Sequence, residues 1–131
     1  MNTPVSFELA KLLKEKGINI PSNRGLGVAI YEDGKITSTC LYDGTVIHAP
    51  TIAEVVMWLY EKHGIWINVG GDCDYKFKFE IHTWNWYEHE KTYRLGHIVL
   101  GESFFDTSSE PFNSPTEAYE AAILYILNNL I

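Results

Sequence analysis

The sequence predicts an α+β protein: an antiparallel sheet of about five to six strands with three helices, in the order α-βββ-α-βββ-α. Three observations predict it. Apolar residues recur at helical spacing in three separate stretches, with capping residues at their starts. Two Asp-Gly pairs, Asp33-Gly34 and Asp43-Gly44, separate strand-like runs. Such pairs are strong hairpin signals, because a type I′ turn needs positive φ at both central positions. Residues from Tyr75 to Tyr87 alternate with the period of a strand. Hairpins interspersed with helices imply an antiparallel sheet with helices on one face. One domain, 1–131, is expected at this length, and it is long enough to bury a core without metal or disulfide staples.

The first helix is expected from Pro4 or Ser6 to Lys16. Thr3-Pro4 or Ser6 starts it, and Gly17 stops it. Leu9, Leu12 and Leu13 form a narrow apolar face. Ile18 and Ile20 return the chain to the core, and 21–25 is a loop. A β-meander follows: Gly27 to Glu32, a two-residue turn at Asp33-Gly34, Lys35 to Tyr42, then Thr45 to His48 after Asp43-Gly44.

The central helix is the most apolar stretch. Thr51 and Glu54 form a capping box at its start. Ile52, Val55, Val56, Leu59 and His63 share one face. Ala53, Met57, Trp58 and Tyr60 widen the apolar arc, so cover on more than one side is expected. Gly64 ends the helix at the C′ position, and Ile65 to Val69 alternates as a strand. Residues 70–74 form a turn. On the long strand that follows, Tyr75, Phe77, Phe79, Ile81 and Thr83 form the core face. Lys76, Lys78, Glu80, His82, Trp84 and Trp86 form the other, polar at its start. With 88–91 as a four-residue tip, Thr92 to Leu100 returns. Phe79 then pairs with Leu100, Ile81 with Ile98, His82 with His97 and Trp84 with Leu95. A slip of one residue would reverse every face. Residues 101–113 make a polar connection tucked down by Phe104 and Phe105. The last helix opens with Ser114 as cap, Pro115 at its first position and Glu117 closing the box. Tyr119, Ala122, Ile123, Ile126, Leu127 and Leu130 form its stripe.

Pro50-Thr51-Ile52-Ala53 and Pro115-Thr116-Glu117-Ala118 open two helices alike, each after three strands. This raises an internal βββα duplication. Taken together, SFELAKLLKEKG, APTIAEVVMWLYEKHGIWI and FNSPTEAYEAAILYILNNLI resemble a group of small uncharacterised proteins encoded by phages, prophages and mobile elements of gut anaerobes. The likeness covers the two ends and the centre, about half the chain. It implies a scaffold, and the group has no established catalytic residues to place on this chain.

A formal net charge of −7, with ten scattered basic residues, argues against nucleic acid as partner, because that affinity rests on clustered Lys and Arg. Two cysteines, Cys40 and Cys73, form no motif, and no signal peptide or membrane-length apolar run is present. A cytoplasmic protein with no membrane contact is expected.

His82 and His97, as cross-strand neighbours, are candidates for a general acid/base pair or a shared metal. A zinc site needs three or four ligands. Asp72, Cys73 and Asp74 are the spare candidates, and turn chemistry accounts for them. No metal site and no cofactor are expected. Walker A, GxGxxG, GxSxG and HExxH patterns are all absent. The stronger candidate is an aromatic patch at the far end of the long hairpin: Trp84, Trp86, Tyr87 and Tyr93, with His82 and Arg94 alongside. Exposed aromatic clusters mark binding surfaces.

The leading expectation is therefore a non-enzymatic accessory protein of a phage or mobile element. It binds a host or phage protein through this hairpin, with counter-defence as one use. The alternative is a small-ligand binder whose rings stack on a nucleotide beside Arg94 and Lys91. The third reading is a small hydrolase or metal-dependent enzyme built on His82 and His97. An exposed sheet edge leaves a homodimer open.

Overall fold

The computed structural model describes residues 3–20, 28–38, 46–71, 76–87, 92–101 and 112–131; for 28, 38, 46, 84–87 and 92–101 it describes the backbone. The elements are α1 (Phe7–Glu15), β1 (Val28–Tyr31), β2 (Ile36–Ser38), β3 (Val46–His48), α2 (Ile52–His63), β4 (Ile65–Gly71), β5 (Phe77–Tyr87), β6 (Thr92–Gly101) and α3 (Pro115–Asn129). The class is α+β and the order is the one the sequence predicts. All strand pairs are antiparallel, and the strands form two sheets of three. The chain divides into two compact units, Met1–Val55 with Leu124–Ile131, and Val56–Ile123.

In the first unit, Ser6 caps α1: its hydroxyl accepts the Leu9 N–H at 3.3 Å. Thr3-Pro4 does other work. Pro4 forms a β-bridge with Thr51, the Val5 N–H donates to the Pro50 carbonyl, and the Ile52 N–H donates to the Thr3 carbonyl, each at 2.9 Å. The last bond satisfies one of the donors that a helix start leaves orphaned. The buried stripe of α1 is Leu9, Ala10 and Leu13, with Leu12 half-buried. The expected stripe had Leu12 and lacked Ala10, whose small side chain counts little in apolar periodicity. At the other end Gly17 has φ +70°. Its N–H meets the Lys14 carbonyl and the Ile18 N–H meets the Leu13 carbonyl, at 3.0 and 2.9 Å. This is a Schellman motif, and it brings Ile18 back beside Leu13.

The first sheet has the order β2-β1-β3. It is not the expected meander, in which β2 would be central. Ala29 and Ile30 are consecutive and both buried, so β1 is covered on both faces, whereas Ile36 of β2 is 57% exposed. A strand covered on both faces belongs inside a sheet and a half-solvated one at its edge. The β1–β2 turn also differs from the two-residue expectation. Tyr31 pairs with Lys35 and the Gly34 N–H reaches the Tyr31 carbonyl, both at 2.9 Å. The loop is therefore 32–34, a three-residue turn closed by Gly34 at φ +88°. That geometry asks for one left-handed residue, and Gly supplies it. Asp43-Gly44 and Cys40 lie outside the described residues. α1 packs on β3 and β1.

α2 opens with the predicted box. The Glu54 N–H donates to Thr51 Oγ1 at 3.2 Å and the Thr51 N–H to Glu54 Oε1 at 3.2 Å. The Thr51 hydroxyl adds a 2.9 Å bond to the same carboxylate. Ile52, Val55, Val56 and Leu59 are buried, but Met57 is 45% exposed and Glu61, Lys62 and His63 face solvent. The helix has a solvated side after all. Apolar residues do not by themselves bury a face, and Met57 and Glu61, one turn apart, share this one. Gly64, at φ +64°, ends α2 by donating to the Tyr60 carbonyl at 3.0 Å.

In the second unit the order is β4-β5-β6. Ile67 lies opposite Ile81 and Val69 opposite Phe79, so the odd residues of β5 form the apolar face, as expected. β4 continues through Gly70 and Gly71, which the sequence assigns to a turn; Gly71 pairs with Phe77. Asp72, Cys73 and Asp74 lie outside the described residues, as do Phe104 and Phe105. Phe112 rejoins the sheet by two backbone bonds to Phe77, at 2.8 and 2.9 Å. Its ring lies 5.9 Å from that of Phe79, and Lys76 Nζ donates to Asn113 Oδ1. α3 then starts at Ser114, whose hydroxyl accepts the Glu117 N–H at 3.2 Å. The Glu117 carboxylate takes the Asn113 N–H at 3.0 Å, one residue further back than a standard box reaches.

Candidate functional site

Three places bear on function: the long hairpin, a buried polar row on β5, and a cavity beside α1. In the hairpin, Trp86 pairs with Tyr93, Trp84 with Leu95, Asn85 with Arg94 and Tyr87 with Thr92. The Tyr87–Thr92 pair leaves four residues for the tip, 88–91, as expected. Alternation puts positions 84, 86, 93 and 95 in one register set and 85, 87, 92 and 94 in the other. Of the predicted binding residues, Trp84, Trp86 and Tyr93 thus share one register set. Tyr87 and Arg94 belong to the alternate set. The side chains of these five residues, and the tip with His89 and Lys91, lie outside the described residues.

Farther from the tip the register departs from expectation. Between the Trp84–Leu95 and Ile81–Leu100 pairs, β5 advances three residues while β6 advances five. Two irregularities take up the difference, and His82 lies opposite Ile98, not His97. Ile81 likewise meets Leu100 where Ile98 was expected. A turn fixes register only up to the first bulge. Gly96, at the first shift, is the sequence signal for it, because an isolated glycine in a strand often marks a bulge. The His82–His97 cross-strand pair is not formed, and the acid/base and metal readings lose their geometric basis.

His82 has a different partner. Its Nε2 lies 3.0 Å from Glu80 Oε2, two residues away on the same face of β5. A carboxylate only accepts, so the ring donates from Nε2. Nδ1 is buried with no hydrogen-bond partner. His82 is 6% exposed and Lys78, two residues before Glu80, is 5% exposed. The even face of β5 is therefore polar in composition but not solvated. Its register neighbours on β4 are Gly70, Asn68 and Trp66. Trp66 stacks edge-on with Tyr60 of α2, ring centroids 5.7 Å apart. A carboxylate that orients an imidazole supplies two of the three members of a catalytic triad. No hydroxyl or thiol among the described residues completes it. No group of three or more His, Cys, Asp or Glu among them could hold a metal ion.

The cavity was not foreseen. It has a volume of about 310 Å³ and lies between the last turn of α1 and β3, lined by Leu13, Lys14, Ile18, Ile20, Ile47 and His48 among others. His48 Nε2 lies 3.2 Å from the Ile20 carbonyl, and this bond ties β3 to the segment that leaves α1. In sequence, Leu13, Ile18 and Ile20 read as core residues. A cavity is a shortfall in filling between such residues, and periodicity carries no signal of it.

No helix among the described residues is long and apolar enough to cross a membrane. Neither a family model, nor a curated protein, nor a solved structure matches the chain.

Proposed function

We propose that the protein is a non-enzymatic accessory protein of a phage or mobile element that docks on a host or phage protein through the β5–β6 hairpin, and that counter-defence is one use of that docking. The observation that carries this reading is the hairpin register: Trp84, Trp86 and Tyr93 occupy one register set next to a four-residue tip. Trp and Tyr are, with Arg, the side chains enriched among binding hot spots. The net charge of −7 favours a basic partner surface, and charge of this kind acts on association rate and specificity more than on affinity. The nucleotide alternative asks for a basic residue beside the rings. Arg94 lies opposite Asn85, in the register set that the two tryptophans do not share, and this favours docking to a protein over stacking on a nucleotide.

The test is recovery of a partner from host lysate by tagged protein, with the Trp84→Ala/Trp86→Ala double variant alongside and far-UV circular dichroism as the folding control. A specific stoichiometric partner is expected with the parent, and its affinity for the folded double variant should fall by about 30-fold or more. Equal recovery by both ends the docking reading. A rise in melting temperature with a saturating nucleotide, lost in the double variant, would favour the nucleotide alternative instead.

A further inference from the structure

We propose that the cavity between the last turn of α1 and β3 binds a small monocarboxylate with an apolar body, about ten heavy atoms in all. This does not depend on the hairpin reading. The size follows from the volume of about 310 Å³, taken at roughly 30 Å³ for each water-sized group. The apolar body follows from the walls, where Leu13, Ile18, Ile20 and Ile47 converge.

The charge of the ligand follows from a local reversal. Acidic residues outnumber basic ones across the chain, seventeen to ten. Yet among the described residues no Asp or Glu lines the cavity, and Lys14 does. Lys14 is itself exposed, and it is the one Lys or Arg among the described lining residues. A mainly apolar lining with one Lys and no Asp or Glu among the described residues suits a ligand with an apolar body and one anionic end. Few but well-placed polar groups are the usual pattern of such sites.

The walls are held before any ligand arrives. The Schellman bonds from Gly17 and Ile18 fix the turn that carries Ile18 and Ile20. His48 Nε2 binds the Ile20 carbonyl at 3.2 Å. Because a carbonyl only accepts, the imidazole gives its proton there and serves as a fixed wall. A preformed site loses less entropy on binding.

Sodium octanoate, with ten heavy atoms, is the probe. It is titrated into the ¹⁵N-labelled full chain and followed by amide shifts, with 1-octanol as the neutral counterpart. The expected result is saturable shifts centred on Gly17, Ile18, Ile47 and His48, with half-saturation by octanoate near or below about 1 mM. Lys14→Met, at an exposed helical position, should weaken octanoate about fivefold and leave octanol within about twofold. Octanol binding as well as octanoate to the parent, or an unchanged octanoate affinity in Lys14→Met, would overturn the carboxylate assignment. Absence of saturable shifts at these amides with either probe would overturn the site.

Discussion

The two three-stranded sheets share an element order and differ in which strand lies inside. In the first the earliest strand, β1, is central; in the second it is β5, the middle one in sequence. One rule covers both. Each central strand carries two consecutive buried residues, Ala29-Ile30 on β1 and Ile81-His82 on β5, which means that both of its faces are covered. Among the described residues the edge strands β2 and β4 do not: Ile36 of β2 is mostly exposed, and β4 runs from buried Ile65 through half-buried Trp66 and buried Ile67 to exposed Asn68. Consecutive burial, rather than order along the chain, decides the centre of a sheet.

The helices that follow the two sheets sharpen the contrast. Pro50-Thr51-Ile52-Ala53 and Pro115-Thr116-Glu117-Ala118 look equivalent, but Thr51 is the cap of α2 while Thr116 is the second helical residue of α3, whose cap is Ser114. The matched letters are out of step with the matched positions. Together with the different strand orders, this argues against a βββα duplication.

Five substitutions test these contrasts, the largest effect first. Ile81→Ala on the central strand should cost about 2–5 kcal/mol, because a fully buried isoleucine leaves a cavity; urea denaturation with an unchanged m-value would measure it. Next come the caps. Thr51→Ala should cost about 2 kcal/mol and Ser114→Ala about 0.5–1 kcal/mol. Thr51 is buried and bonds Glu54 in three ways, whereas the bonds at Ser114 are exposed. Equal costs for the two would show that burial of a cap does not matter here. Gly64→Ala should cost about 1 kcal/mol, read as a lower melting temperature, because its φ of +64° disfavours a Cβ. The smallest effect is Ile36→Ala on edge strand β2, expected within about 0.5 kcal/mol. A loss there comparable to that at Ile81 would break the centre-and-edge distinction.

Much of the architecture is legible because its signals are local. The caps at Ser6, Thr51 and Ser114, the stops at Gly17 and Gly64, and the apolar face of β5 all come from residues within a few positions of one another. The hairpin register near the tip, Trp84 with Leu95, is local too, being set by the length of the turn. It fails at His82, where β6 carries extra residues and Ile98 replaces His97. What the residues around Trp84 and Trp86 suggest about binding is likewise local; what His82 touches is not.

By itself, then, the amino-acid order determined the class of the protein, the number and succession of its elements, how each helix begins and how the first two end, because these depend on short-range hydrogen bonds and spacing. Tertiary structure alone decided that β1 is central, that the Lys78-Glu80-His82 face is withdrawn from water, and that the residues beside α1, Lys14 among them, line a cavity. Each of these is set by which distant segments come to cover a surface, and no periodicity along one segment records what will lie against it.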